Sequence, residues 1–369
     1  MLLAIGAFIM LPLWGIAQDP TFSQYETNPL QVNPAYTGTK NFIRIGGNYR
    51  NHWPRVPGKK VPGSFSTYNL YGDIQFRNRL IGGAGVNLLQ NYKGEGWLKH
   101  TSVGGYYSWH MPTQHNQNIN WFIGLKSSYH FLRVDVERLT FTDQLEPGAA
   151  KGERYSPYSS FQQKNISNGK ADYLDFGAGS VLQFNITDNY SNELGVSVSH
   201  LVEPVVSLSG QETQLPRKYT IHYSGGIEVL SRKLFLSPKF LTEHQGPFSA
   251  FTGGFSLYWI SSHYSSSQNM MRYAAKPLYG GMMYRNGKTY SNGDGQDANT
   301  QSLIFIIGHQ GVIQEQDLNY QVGLSYDQTF YGLNLKTAGA FEISVNVVFP
   351  PQKETADLCP FNGNAFGVF

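Results

Sequence analysis

Apolar and polar residues alternate one by one along most of this chain. In 338–349, Phe341, Ile343, Val345, Val347 and Phe349 share one phase, and Glu342, Ser344 and Asn346 share the other. The stretch 316–327 repeats the pattern, with Leu318, Tyr320, Val322, Leu324 and Tyr326 set against Asn319, Gln321, Gly323, Ser325 and Asp327. Successive side chains of a strand point to opposite faces, so each stretch forms an apolar face backed by a polar one. Repeated along a whole chain, this dyad predicts an all-β fold, a transmembrane antiparallel β-barrel with lipid outside and a wet interior.

Period-two stretches bounded by Gly, Asn, Asp and Pro predict about fourteen spans. They cover 42–53, 64–77, 80–92, 97–110, 119–134, 172–187, 190–202, 217–231, 234–244, 248–260, 276–286, 300–310, 316–327 and 338–349. Outer-membrane barrels have short periplasmic turns and longer extracellular loops. With a periplasmic start, the even-numbered connections should be tight, and Arg77-Asn78-Arg79, Thr187-Asp188-Asn189 and Ser231-Arg232-Lys233 are. The odd ones include 54–63, 203–216, 287–299 and the long insertion 135–171, which suits a partner-binding loop or a lid. Connections 261–275 and 245–247 break the rule.

Composition agrees. The 369 residues have a mean hydropathy of −0.34, yet carry 24 Tyr, 23 Phe and 40 Gly. A helical membrane protein needs runs of ~20 apolar residues. After the N-terminus, Leu303 to Ile307 is among the longest apolar runs, and it is strand-sized. Glycine relieves crowding on curved strands, and aromatic rings anchor at the interfaces. A soluble sandwich or propeller is the competing architecture. A net charge of +3 does not argue for nucleic acid, and the single Cys359 excludes an internal disulfide.

The apolar opening Met1–Ala17 followed by Gln18 reads as a secretory signal peptide over 1–18. A periplasmic N-terminal segment follows at 19–41, then the barrel at 42–349 and a periplasmic tail at 350–369. No catalytic, cofactor or metal constellation emerges. Gly82-Gly83-Ala84-Gly85 lacks the following helix and Lys-Ser/Thr of a phosphate loop, and His110 and His115 fit a polar turn. Asn292 to Asp297 fits an exposed hairpin tip better than a calcium loop. Charges on the polar phase (Arg44, Arg50, Lys126, Asp175, Glu193, Asp327 and Glu342) suit either a channel lining or a cross-linked, plugged lumen.

The sharpest motif is Asp19-Pro20-Thr21-Phe22-Ser23-Gln24-Tyr25, then Asn28-Pro29-Leu30 and Asn33-Pro34-Ala35-Tyr36-Thr37-Gly38. Its prolines restrict the backbone and its Asn-Pro pairs are turn chemistry, which predicts a kinked, non-strand segment with aromatic anchors. This motif resembles the mature start of the PorP/SprF family of type IX secretion and gliding proteins. Further resemblance lies in Tyr49-Arg50-Asn51-His52-Trp53, where the family usually shows Gln at the position of His52. It continues through Leu215 to Tyr219, Gly281 to Arg285, Tyr326-Asp327, Gly339 to Ser344 and Cys359-Pro360-Phe361, with Phe341 where many members carry a smaller or polar residue.

The resemblance implies a non-enzymatic outer-membrane barrel, without cofactor, that supports export or surface anchoring of a secreted adhesin carrying a C-terminal sorting domain. Outer-membrane lipid and periplasmic or outer-membrane secretion components are its other implied partners. The alternative is a passive channel or porter for small solutes. Candidate partner-contact or barrel-mouth residues are Asp19, Pro20, Phe22, Ser23, Gln24, Tyr25, Asn33, Pro34, Ala35, Tyr36, Gly38, Arg50 and Trp53. The N-terminal segment is expected in or just beneath the periplasmic mouth, stiffening the barrel.

Overall fold

A computed structural model describes residues 19–40, 43–52, 65–76, 81–94, 98–112, 119–135, 169–187, 190–208, 212–230, 233–261, 276–289, 298–313, 318–331 and 339–349. The expected signal peptide, the tail at 350–369, Trp53, His115, the tip at Asn292 to Asp297 and nearly all of the 135–171 insertion lie outside the described residues.

The strands are β1 (Ile43–His52), β2 (Phe65–Gln75), β3 (Gly83–Lys93), β4 (Leu98–Pro112), β5 (Ile119–Arg133), β6 (Lys170–Thr187), β7 (Tyr190–Ser199), β8 (Val205–Val206), β9 (Thr213–Gln214), β10 (Lys218–Leu230), β11 (Leu234–Gln245), β12 (Phe248–Ser261), β13 (Lys276–Thr289), β14 (Ala298–Ile313), β15 (Leu318–Tyr331) and β16 (Ala340–Phe349). Fourteen of them close into a barrel, each antiparallel to its neighbours, with β7 paired directly to β10 and β1 to β16. The predicted spans match within a few residues, except that β4, β13, β14 and β15 run further into their loops or turns. The small β8–β9 hairpin inside connection 203–216 was not predicted, because two-residue strands carry no readable period.

The dyad places the expected faces. Ile45, Leu70, Val86, Val103, Leu125, Val196, Phe305 and Val345 stand outward, while Arg44, Asn48, Arg50, Asn69, Asp73, Asp327 and Glu342 are buried inside. With no edge strand left open, every span can satisfy its ladder without water. At one end of the cylinder β1 begins and β16 finishes (the turn end). At the other, β1 finishes and β2 begins (the loop end).

The alternation fails on one side of the lumen, where Phe235, Leu241, Tyr258, Met283, Ile304 and Ile306 turn apolar side chains inward. The run Leu303 to Ile307 is therefore apolar on both faces. Its inward members pack around Tyr25, which belongs to the N-terminal segment. That segment runs through the lumen.

Candidate functional site

Residues 19–40 traverse the barrel interior. Asp19 sits at the loop end, its Oδ2 3.2 Å from His200 Nε2 and 3.9 Å from Lys218 Nζ. Its backbone N–H donates to Gln245 Oε1 at 3.4 Å. Gly38 sits at the turn end, its N–H donating to Asp73 Oδ2 at 2.6 Å. Sequence reasoning expected the segment in or just beneath the periplasmic mouth. The described segment extends through the lumen, and its polar groups find partners on strands all round the wall.

Three one-turn helices shape it: a 3-10 turn at Tyr25–Thr27, an α turn at Pro29–Val32 and a 3-10 turn at Pro34–Tyr36. Pro29 and Pro34 open the second and third turns, where a missing N–H costs nothing. Asn33 caps the last one by accepting from the Ala35 N–H at 3.0 Å. Gly38 then reverses the chain toward β1 at φ 65°, a left-handed conformation that L side chains rarely adopt.

The tightest contact lies around Ser23 and Gln24. Their backbone N–H groups donate to the two carboxylate oxygens of Glu342, at 2.7 Å to Oε2 and 3.1 Å to Oε1. Ser23 Oγ donates to Asp327 at 2.6 Å. Arg50 donates to Asp327 at 2.6 Å and Glu342 at 3.0 Å, and also reaches Ser23 Oγ. Arg285 donates to Asp327 at 3.0 Å and to the Phe22 carbonyl at 2.9 Å. Two guanidinium groups thus balance two carboxylates in a closed network, the condition under which buried charge is tolerated. Arg50, Arg285, Asp327 and Glu342 all come from the sequence blocks that carried the family resemblance. In the fold those blocks converge on Ser23.

Further down, Asn33 Nδ2 donates to the carbonyls of Ser180 and Val196, each at 3.0 Å. Leu30, Ala35 and Tyr36 pack with Tyr71, Tyr106, Phe122 and Val181. The Tyr36 hydroxyl bonds Glu193, and its ring lies 5.3 Å from that of His222. Arg44 pairs with Asp73 at 2.8 Å and donates to the Tyr36 carbonyl at 3.0 Å. His110, read as a turn residue, is a buried lumen residue 3.1 Å from the Thr37 carbonyl.

At the loop end His200 lies between two carboxylates, Asp19 and Asp175, each at 3.2 Å, and Asp175 also faces Lys126 at 3.7 Å. Burial opposes charge on both His200 and Asp19. The ion pair outweighs it, lifting the His200 imidazole above its ordinary value and holding the Asp19 carboxyl well below the usual range. His200 has φ 57°, a left-handed conformation that ends β7 and turns its ring inward.

Above the segment, a vestibule of about 400 Å³ is floored by Asp19, Pro20 and Thr21. Hydroxyls of Thr67, Thr289, Thr300, Ser302 and Thr329 and rings of Phe65, Tyr92 and Phe248 line its wall. Every candidate residue except Trp53 therefore lies in the plug or against it. Sequence reasoning placed Asp175, Asp327 and Glu342 on the inner face without tying them to the plug, and it missed Arg285, Asp73, His200 and His222 as plug contacts. Apolar residues on the inward phase of β11 to β14 were the available signal.

Fold and site together define an outer-membrane β-barrel whose own N-terminal segment occupies its lumen. A profile of the family described as Type IX secretion system membrane protein PorP/SprF matches residues 15–347. The chain belongs to that family. No curated protein matches it. Among solved structures it is similar to the CymD monoaromatic hydrocarbon channel (9% identity, 88% of this chain and 93% of that one, TM-score 0.45). It is also similar to a TodX monoaromatic hydrocarbon channel deltaS2 mutant (10% identity, 87% and 93%, TM-score 0.44). A third is the COG4313 outer membrane channel from Pseudomonas putida F1 (10%, 85% and 96%, TM-score 0.42). Likeness at this level carries no argument about activity.

Proposed function

We propose that the protein is a non-enzymatic outer-membrane accessory of type IX secretion that supports export of a secreted adhesin-type partner or holds it at the cell surface. The observation that carries this reading is the occupied lumen. A solute porter needs a continuous passage, whereas residues 19–40 run through the lumen and are bonded to strands around its circumference. What the barrel offers at its loop end is a vestibule whose wall mixes hydroxyls and aromatic rings with the charged groups of Asp19, Arg50, Lys93, Arg285 and Asp327, suited to gripping a protruding segment of a protein partner. The turn end faces the periplasm in this reading and is available to secretion components there. The partner is expected to be an adhesin carrying a C-terminal sorting domain.

Affinity purification of the full chain from cross-linked native membranes tests the reading. A secreted adhesin-type protein or a secretion component is expected to co-purify. Recovery of neither, together with large steady currents from the pure protein in planar bilayers, would replace the anchor by the porter.

A further inference from the structure

We infer that residues 23–28 of the plug are a register key for barrel closure, joining the first strand of the chain to the last. β1 and β16 are separated by almost the whole barrel sequence, yet they must pair with Arg50 opposite Glu342, Asn48 opposite Ser344 and Gly46 opposite Asn346. Side chains from both sides of that seam meet on the plug. From β16, Glu342 accepts the Ser23 and Gln24 N–H groups, its carbonyl accepts from Gln24 Nε2 at 3.3 Å, and Ser344 Oγ donates to Gln24 Oε1 at 2.8 Å. From β1, Asn48 Nδ2 donates to Thr27 Oγ1 at 2.8 Å and to Glu342 at 3.3 Å, and Arg50 reaches both Ser23 and Glu342. Tyr71 of β2 completes the set, its single hydroxyl proton shared between the Thr27 carbonyl at 3.1 Å and Asn346 Oδ1 at 2.8 Å.

A slip of one residue would turn Glu342, Ser344 and Asn346 toward lipid. A slip of two keeps them inside but carries the Glu342 carboxylate away from the two amides it accepts. Only the native register satisfies the plug. β1 and β2 hold the plug through Arg44, Asp73, Asn48 and Tyr71, contacts close in sequence that can form before β16 arrives. The last strand then docks on a surface already in place.

The test uses the full chain with Cys359→Ser and a cysteine pair at the opposed seam positions Tyr49→Cys and Ile343→Cys. During refolding into detergent, a short cross-linker reports the fraction of seams paired in the native register. Glu342→Gln is expected to slow that pairing about tenfold, a barrier rise of about 1.4 kcal/mol, because the contact forms as the seam closes. Glu193→Ala removes a plug contact on β7, far from the seam, and is expected to speed unfolding with the pairing rate unchanged. Ser344→Ala, a milder loss on β16, is expected to slow pairing by a smaller factor and serves if Glu342→Gln does not fold. Equal pairing rates in the seam variants and the unsubstituted chain, or equal slowing by Glu193→Ala, would overturn the proposal.

Discussion

A glycine facing lipid and a glycine facing the plug look identical in the sequence, but their surroundings differ. A Cβ on Gly179 would run into Asn33 Oδ1, and one on Gly124 into the backbone of Pro34 and Ala35. Asn33 cannot retreat, since its amide is bonded to two wall carbonyls. Gly179→Val is therefore expected to destabilise the barrel by about 1–3 kcal/mol, the usual range for overpacking. Gly105→Ala, on the outward phase with open space around it, is expected to stay within about 0.5 kcal/mol of the parent. The temperature at which the folded band disappears in unboiled electrophoresis measures both. Curvature was the reading available for these glycines. Their contact role was hidden because the residues they accommodate lie far upstream in the sequence, in a segment without strand pattern.

Strands were legible because lipid demands apolar residues at every second position, and Phe341 to Phe349 or Leu318 to Tyr326 obey that demand with few exceptions. The plug obeys no period. Its prolines and Asn-Pro turns announced a kinked segment, but its place depends on scattered wall residues such as Asp73, Glu193 and Arg285, each unremarkable alone. At its loop-end terminus the plug depends on one histidine. His200 has its pKa raised by Asp19 and Asp175, so its stabilising charge is fully present below the ordinary imidazole value near 6.5 and is lost as pH rises through the raised one. Asp19, with its carboxyl depressed, contributes above the ordinary carboxylate value and fails only as pH falls through its lowered one. The plug terminus should thus be held between the lowered Asp19 value and the raised His200 value, and loosen as pH rises through the latter. Amide exchange of residues 19–24, corrected for intrinsic rate, is expected to rise on the alkaline side. His200→Gln should remove most of that rise, leaving Lys126, Lys218 and Glu243 as the remaining charges around Asp19 and Asp175.

At the scale of the whole molecule, the direction of the plug is a property that sequence reasoning did not address. A barrel whose first strand starts at the turn end invites the expectation that everything before β1 stays at that end. Here residues 19–40 run from the loop end, at Asp19, down through the lumen before turning at Gly38 toward β1. Asp19 meets His200, Lys218 and Gln245, all at loop-end strand tips, whereas Gly38 meets Asp73 near the turn-end tip of β2. If the turn end faces the periplasm, the plug begins facing outward. In a Cys359→Ser background, Thr21→Cys lies on the vestibule floor and is expected to react with an impermeant maleimide on intact cells. Thr39→Cys, beside Gly38 at the other end, is expected to react only after the outer membrane is permeabilised. The opposite labelling pattern would place the vestibule in the periplasm, where it could receive a partner before export and could not hold one afterwards.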